Sequence, residues 1–131
     1  MKSLVAALIP VGLLFLSIPM SAHHGSAVYD LGKRVTVKGT VTAWIWQNPH
    51  CFLKVDAIDA SGNTAHWVIE NQSPQNILNY GWTKATFKFG DEVVVDVEPY
   101  KNLSESNPVG RFSGQVIING KVFKTADSNG R

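Results

Sequence analysis

The sequence predicts an all-β fold with one short helix: a small five-stranded Greek-key barrel of the OB type, with a β-sandwich as the runner-up. Three observations carry the prediction. Apolar residues alternate with polar ones at period two in successive stretches between Lys33 and Lys124. One stretch breaks that period, starting at Ser73-Pro74, after the third strand and before the fourth. The first stretch is long and carries Gly39 in its middle, where a strand can bend or bulge and so curl between two sheets.

Lys33 to Trp46 is the first strand region. Val35, Val37, Gly39, Val41, Ala43 and Ile45 are read as facing a core, with Trp44 and Trp46 on the opposite face. Asn48-Pro49 is a turn signal. His50 to Ile58 is the second strand, with Cys51, Leu53, Val55 and Ala57 inward. Asp59 to Asn63 is a hairpin loop of turn formers, and Thr64 to Glu70 the third strand, with Ala65, Trp67 and Ile69 inward. Ser73 is a good N-cap before Pro74 at the first helical position, and Gly81 ends the helix. Glu92 to Glu98 is the fourth strand. A polar loop from Pro99 to Pro108 leads to the fifth, Gly110 to Ile118. Asn119-Gly120 is a two-residue hairpin turn returning through Lys121 to Lys124.

The first 22 residues read as a cleaved secretory signal. Met1-Lys2-Ser3 is a short basic start, Leu4 to Ile18 an apolar run, and Pro19 to Ala22 a cleavage region. The run is short for a membrane span, and no stop-transfer pattern follows. An uncleaved anchor is the competing reading, because Met20 is a poor −3 residue. The expected organisation is a signal over 1–22, an N-terminal arm over 23–32, a barrel over 33–124 and a fraying tail over 125–131. The expected location is the periplasm, as a soluble protein without stable membrane insertion.

The formal charge of +2 argues against a nucleic-acid footprint. A single cysteine, Cys51, leaves no internal disulfide, so the core must hold the fold.

The motifs resemble those of a known family. His23-His24-Gly25-Ser26, the Val35–Val41 strand, Trp46-Gln47-Asn48-Pro49-His50, Trp67-Val68-Ile69-Glu70, Ser73-Pro74, Gly81-Trp82 and Gly90-Asp91-Glu92-Val93 look like a family of short exported bacterial proteins, catalogued as a domain of unknown function. The resemblance spans His23 to about Val122. It implies export and a small β-barrel and supplies no activity. Cys51 and Phe89 depart from its pattern, where a small or apolar residue and a proline are typical.

Chemistry concentrates in the two histidine clusters. Cleavage after Ala22 gives His23 a free α-amine beside its imidazole, and the two chelate one metal together. A second imidazole, from His50 or His24, completes a three-nitrogen histidine brace of the kind that favours Cu(II). Cleavage after Ser21 instead puts a histidine third, in Ala22-His23-His24, which binds Cu(II) or Ni(II) in a square plane. The competing readings are an idle exposed arm and a His50 that satisfies a turn. Cys51 reads as a small buried hydrophobe and His66 as a surface residue. Trp44 and Trp46 either pack on Trp67 or Trp82 or form, with Asn48 and His50, an edge for a periplasmic protein partner or small ligand. No serine elbow, paired carboxylates, phosphate loop or Cys-x-x-Cys is present, so an enzyme is the weaker class.

Overall fold

A computed structural model describes residues 26–125. The expected signal over 1–22, His23, His24 and the expected tail beyond Thr125 lie outside the described residues. The chain runs through a 3₁₀ turn (Ser26–Val28), β1 (Val35–Ile45), β2 (Phe52–Ile58), β3 (Thr64–Glu70), α1 (Pro74–Leu78), β4 (Glu92–Pro99), β5 (Val109–Ile118) and β6 (Lys121–Lys124).

The strands hydrogen-bond in the order β3-β2-β1-β4-β5-β6, and a parallel β3–β5 pairing closes the first five into a barrel. This is the OB-type order expected, with α1 between β3 and β4 and β6 as an added hairpin arm. β1 serves both halves. Val35 to Thr40 pair with β4, Gly39 to Ile45 with β2, and Gly39 and Thr40 pair with both. A Cβ at Gly39 would lie 2.2 Å from the Asp56 carbonyl oxygen, so glycine is required there by close backbone approach.

The bulge falls at Thr42 rather than at Gly39. Val41 pairs with Val55 but Ala43 with Lys54, so one extra residue sits on β1. That residue inverts the alternation beyond it. Trp44 lies opposite inward-facing Leu53, and Ala43 opposite exposed Lys54. The expected faces are therefore corrected for this end of the strand: Ala43 and Ile45 point away from the interior, and Trp44 and Trp46 pack against the core.

The core has an aromatic end. Trp82, 2% exposed, meets Phe112 and Phe123 at ring separations of 5.0 Å, and Trp44 meets Phe87 at 5.1 Å. The local signals of the helix and last turn hold. The Ser73 hydroxyl accepts from Asn76 N at the N-cap, Pro74 is the first helical residue, and Gly81 has φ +85°. Asn119 and Gly120 both take positive φ, as a type I′ turn demands. Among the described residues no helix is long and apolar enough to cross a membrane.

Candidate functional site

The segment before β2 is tied to the end of β3. Cys51 N donates to Gln72 O at 3.1 Å, and Asn71 N to Cys51 O at 2.8 Å. His50 and Cys51 thus precede β2 instead of opening it. This pairing sets His50 beside Glu70, the last residue of β3. The His50 Nδ1 lies 2.5 Å from Glu70 Oε1 and 3.2 Å from the Asn71 carbonyl oxygen. The other carboxylate oxygen, Oε2, accepts from the Tyr29 hydroxyl at 2.5 Å. One carboxylate therefore holds both the imidazole and the N-terminal segment.

That segment is stitched to the barrel by its backbone as well. Asp30 N donates to Pro99 O at 2.8 Å, Lys101 N donates to Val28 O at 2.9 Å, and Tyr29 bridges to Tyr100. The arm expected over 23–32 is thus docked from Val28 onward, with Tyr29 buried. Behind it, β3–β5 register places Arg111 opposite Glu70. The Arg111 guanidinium lies 4.3 Å from the Tyr29 ring centroid and pairs with Glu98 Oε2 at 2.6 Å. Glu98 Oε1 also accepts from Gly32 N at 3.2 Å.

A family model described as a family of unknown function (DUF6152) matches residues 11–107. The chain belongs to that family. No curated protein and no solved structure matches it. The DUF6152 match takes in Tyr29, His50 and Glu70 and stops short of Arg111.

The chemistry of this DUF6152 site follows from the shared carboxylate. A ring whose Nδ1–H donates to Glu70 carries its remaining lone pair, when neutral, on Nε2. Carboxylate–imidazole pairs of this kind orient metal-binding histidines and raise their basicity. The His50 side chain is 44% exposed, so the ring is open to an incoming partner. Burial first, and then the bond to Glu70, push the Tyr29 hydroxyl far above its usual range. A cavity of about 170 Å³ lies among Tyr29, His50, Glu70, Asn71, Arg111 and Phe112. The buried Asn71 Nδ2 makes no hydrogen bond to the described residues.

The remaining expected residues are dispersed. Asn48 is exposed in the turn, where its peptide bond to Pro49 is cis. Trp44 donates its indole N–H to the Thr83 carbonyl at 2.9 Å and packs 6.2 Å from Trp82. The packing is thus with Trp82, in the main core. His66 is exposed and pairs with Asp56 at 2.7 Å. Cys51 is fully buried, which pushes its thiol up. Among the described residues no three His, Cys, Asp or Glu side chains stand close enough to hold a metal alone.

Tyr29, Glu70, Glu98 and Arg111 were not singled out as site residues from sequence. Glu70 ends a Trp-Val-Ile-Glu strand, and that position is the one signal that pointed toward it.

Proposed function

We propose that this DUF6152 protein is an exported barrel that binds Cu(II) through His23, its leading residue after signal cleavage, with His50 as the second imidazole donor. Its role is carriage or sensing of the metal in the periplasm. The observation that carries the reading is the Glu70 carboxylate, which grips His50 with one oxygen and Tyr29 with the other. His23 is six residues before Tyr29. An extended chain covers roughly 3.3–3.6 Å per residue, so His23 has a reach of about 20 Å from that anchor. Both nitrogen sources therefore lie within one tether of the same carboxylate, and the negative charge of Glu70 favours a cation beside it. Nitrogen donors in this number suit Cu(II).

The test is native mass spectrometry of protein exported with its own signal, titrated with Cu(II) against a competing chelator. The expected result is a chain beginning at His23 that retains one copper. His23→Ala, α-amine acetylation and His50→Ala should each weaken retention by at least tenfold. Undiminished copper binding after the first two changes would sink the reading. Attention would then pass to an interaction module built on the Trp44–His50 edge, tested by partner capture with Trp46→Ala.

A further inference from the structure

The two ends of the barrel are packed differently. Trp44, Trp82, Phe87 and Phe112 crowd the end where β2 begins. At the end where β2 finishes, Ala57 faces Ala65 directly across the β2–β3 ladder, and Gly39 is the next partner of Ala57 on β1. Three neighbouring strands thus present one glycine and two alanines at the same level. The larger Val55–Trp67 pair lies one inward-facing position deeper. Gly39 is closely packed against Asp56 and Val55, and the short side chains of Ala57 and Ala65 are the ones that line the open space. The 100–108 loop arches over the gap and is tied to β3 by His66 N to Ser106 O at 2.8 Å and Val68 N to Pro108 O at 3.0 Å.

The result is a cavity of about 520 Å³ open at the barrel mouth. Its size falls within the range of small-molecule pockets, roughly 300–1,000 Å³, and barrel mouths are a common place for them. Its inner wall is apolar, formed by Val37, Ala57, Ala65 and Trp67. Apolar residues also stand in water around it, with Ile58 70% and Leu103 40% exposed. The charged groups lining the cavity are Lys38, Asp59 and Glu105, a net negative set. One Asp59 oxygen is engaged by Ser61 N and Asn63 N, both at 2.8 Å, which keeps that carboxylate in place.

We propose that this mouth binds a small, largely apolar molecule with a neutral or cationic polar end, seated against Ala57, Ala65 and Trp67 and rimmed by Leu103 and Ile58. The concavity favours a compact molecule over a flat protein surface, and the rim charge disfavours an anion. The site is separate from His50, which lies before the opposite end of β2, and it does not depend on copper.

The test uses the metal-free exported protein and two fluorescent dyes, neutral N-phenyl-1-naphthylamine and anionic 8-anilinonaphthalene-1-sulfonate. The neutral dye should bind at one saturable site, at least tenfold more tightly than the sulfonate. Ala65→Leu, which fills the hollow, should lower its affinity at least tenfold. Leu103→Ser, on the exposed loop, should lower it several-fold with the circular dichroism spectrum intact, and so covers the case in which Ala65→Leu fails to fold. Phe89→Ala, exposed and outside the cavity lining, should leave the dye affinity unchanged. Absence of saturable binding, equal affinity for the two dyes, or undiminished binding in Leu103→Ser would each overturn the proposal.

Discussion

Removing one oxygen atom tests the anchor at Glu70. Tyr29→Phe deletes the 2.5 Å hydroxyl bond to Glu70 Oε2 and leaves the ring in its place. A hydrogen bond to a charged acceptor contributes about 1.5–3 kcal/mol, so the variant should be less stable by that amount at pH 8. The gap should then close as the pH rises. In the unfolded chain Tyr29 ionises near pH 10, but in the barrel burial and Glu70 hold its proton far beyond that. Above pH 10 the unfolded wild-type chain binds fewer protons than the folded one, so wild-type stability falls with pH. The slope approaches about 1.4 kcal/mol per unit, and the difference from Tyr29→Phe should shrink by about 2 kcal/mol by pH 11.5. The two proteins differ only at that hydroxyl, so the change in the gap reports on Tyr29. The assay is urea unfolding followed by circular dichroism at pH 8, 9, 10, 11 and 11.5. A gap of equal size at pH 8 and pH 11.5 would mean that Tyr29 ionises freely in the folded protein. The argument that it pins the N-terminal segment would then fail.

Other outcomes follow from packing. Gly39→Ala should destabilise by about 3 kcal/mol or more, because its Cβ would strike backbone at 2.2 Å. Gly62→Ala, at φ +85° in open space, should cost about 1–2 kcal/mol; equal losses in urea titrations would remove the close-approach argument. Trp82→Ala should cost about 3–5 kcal/mol, whereas Phe89→Ala, at a position 84% exposed, should stay within about 0.5 kcal/mol. Cys51 should ignore a thiol reagent in the native barrel and react at once in denaturant, since it is fully buried; rapid native labelling would contradict that burial.

The parts legible in the sequence are those set by neighbours along the chain. Ser73-Pro74 announces α1, and Asn119-Gly120 announces the last turn, because capping and positive φ are local demands. The inward faces of β2 and β3 follow from alternation alone. Alternation failed in β1 beyond Val41, since one inserted residue reverses every face after it and Thr42 carries no mark that it is the extra one. The site was half visible. His50 drew notice through its turn motif, but Glu70 reaches it only through the pairing of Cys51 with Asn71 and Gln72, and the β3–β5 closure then brings Arg111 opposite Glu70. The mouth cavity was hidden for a related reason. Ala57 and Ala65 look like ordinary strand residues until register sets them face to face beside Gly39.

The extra residue in β1 makes that strand a phase-shifted text. Val35 to Val41 follow one alternation and Ala43 to Ile45 the opposite one, and Thr42 is the shift between them. Deleting a single residue between Val41 and Trp44 would remove the bulge and leave both tryptophans on the inward face, in regular register with β2. Removing two would set Trp44 next to inward Val41 and turn both tryptophans into water. For any relative aligned to this chain, the count of residues in that interval therefore carries more information than their identity. Deletions scored along β1 should be tolerated in that interval when one residue is lost and should fail when two are.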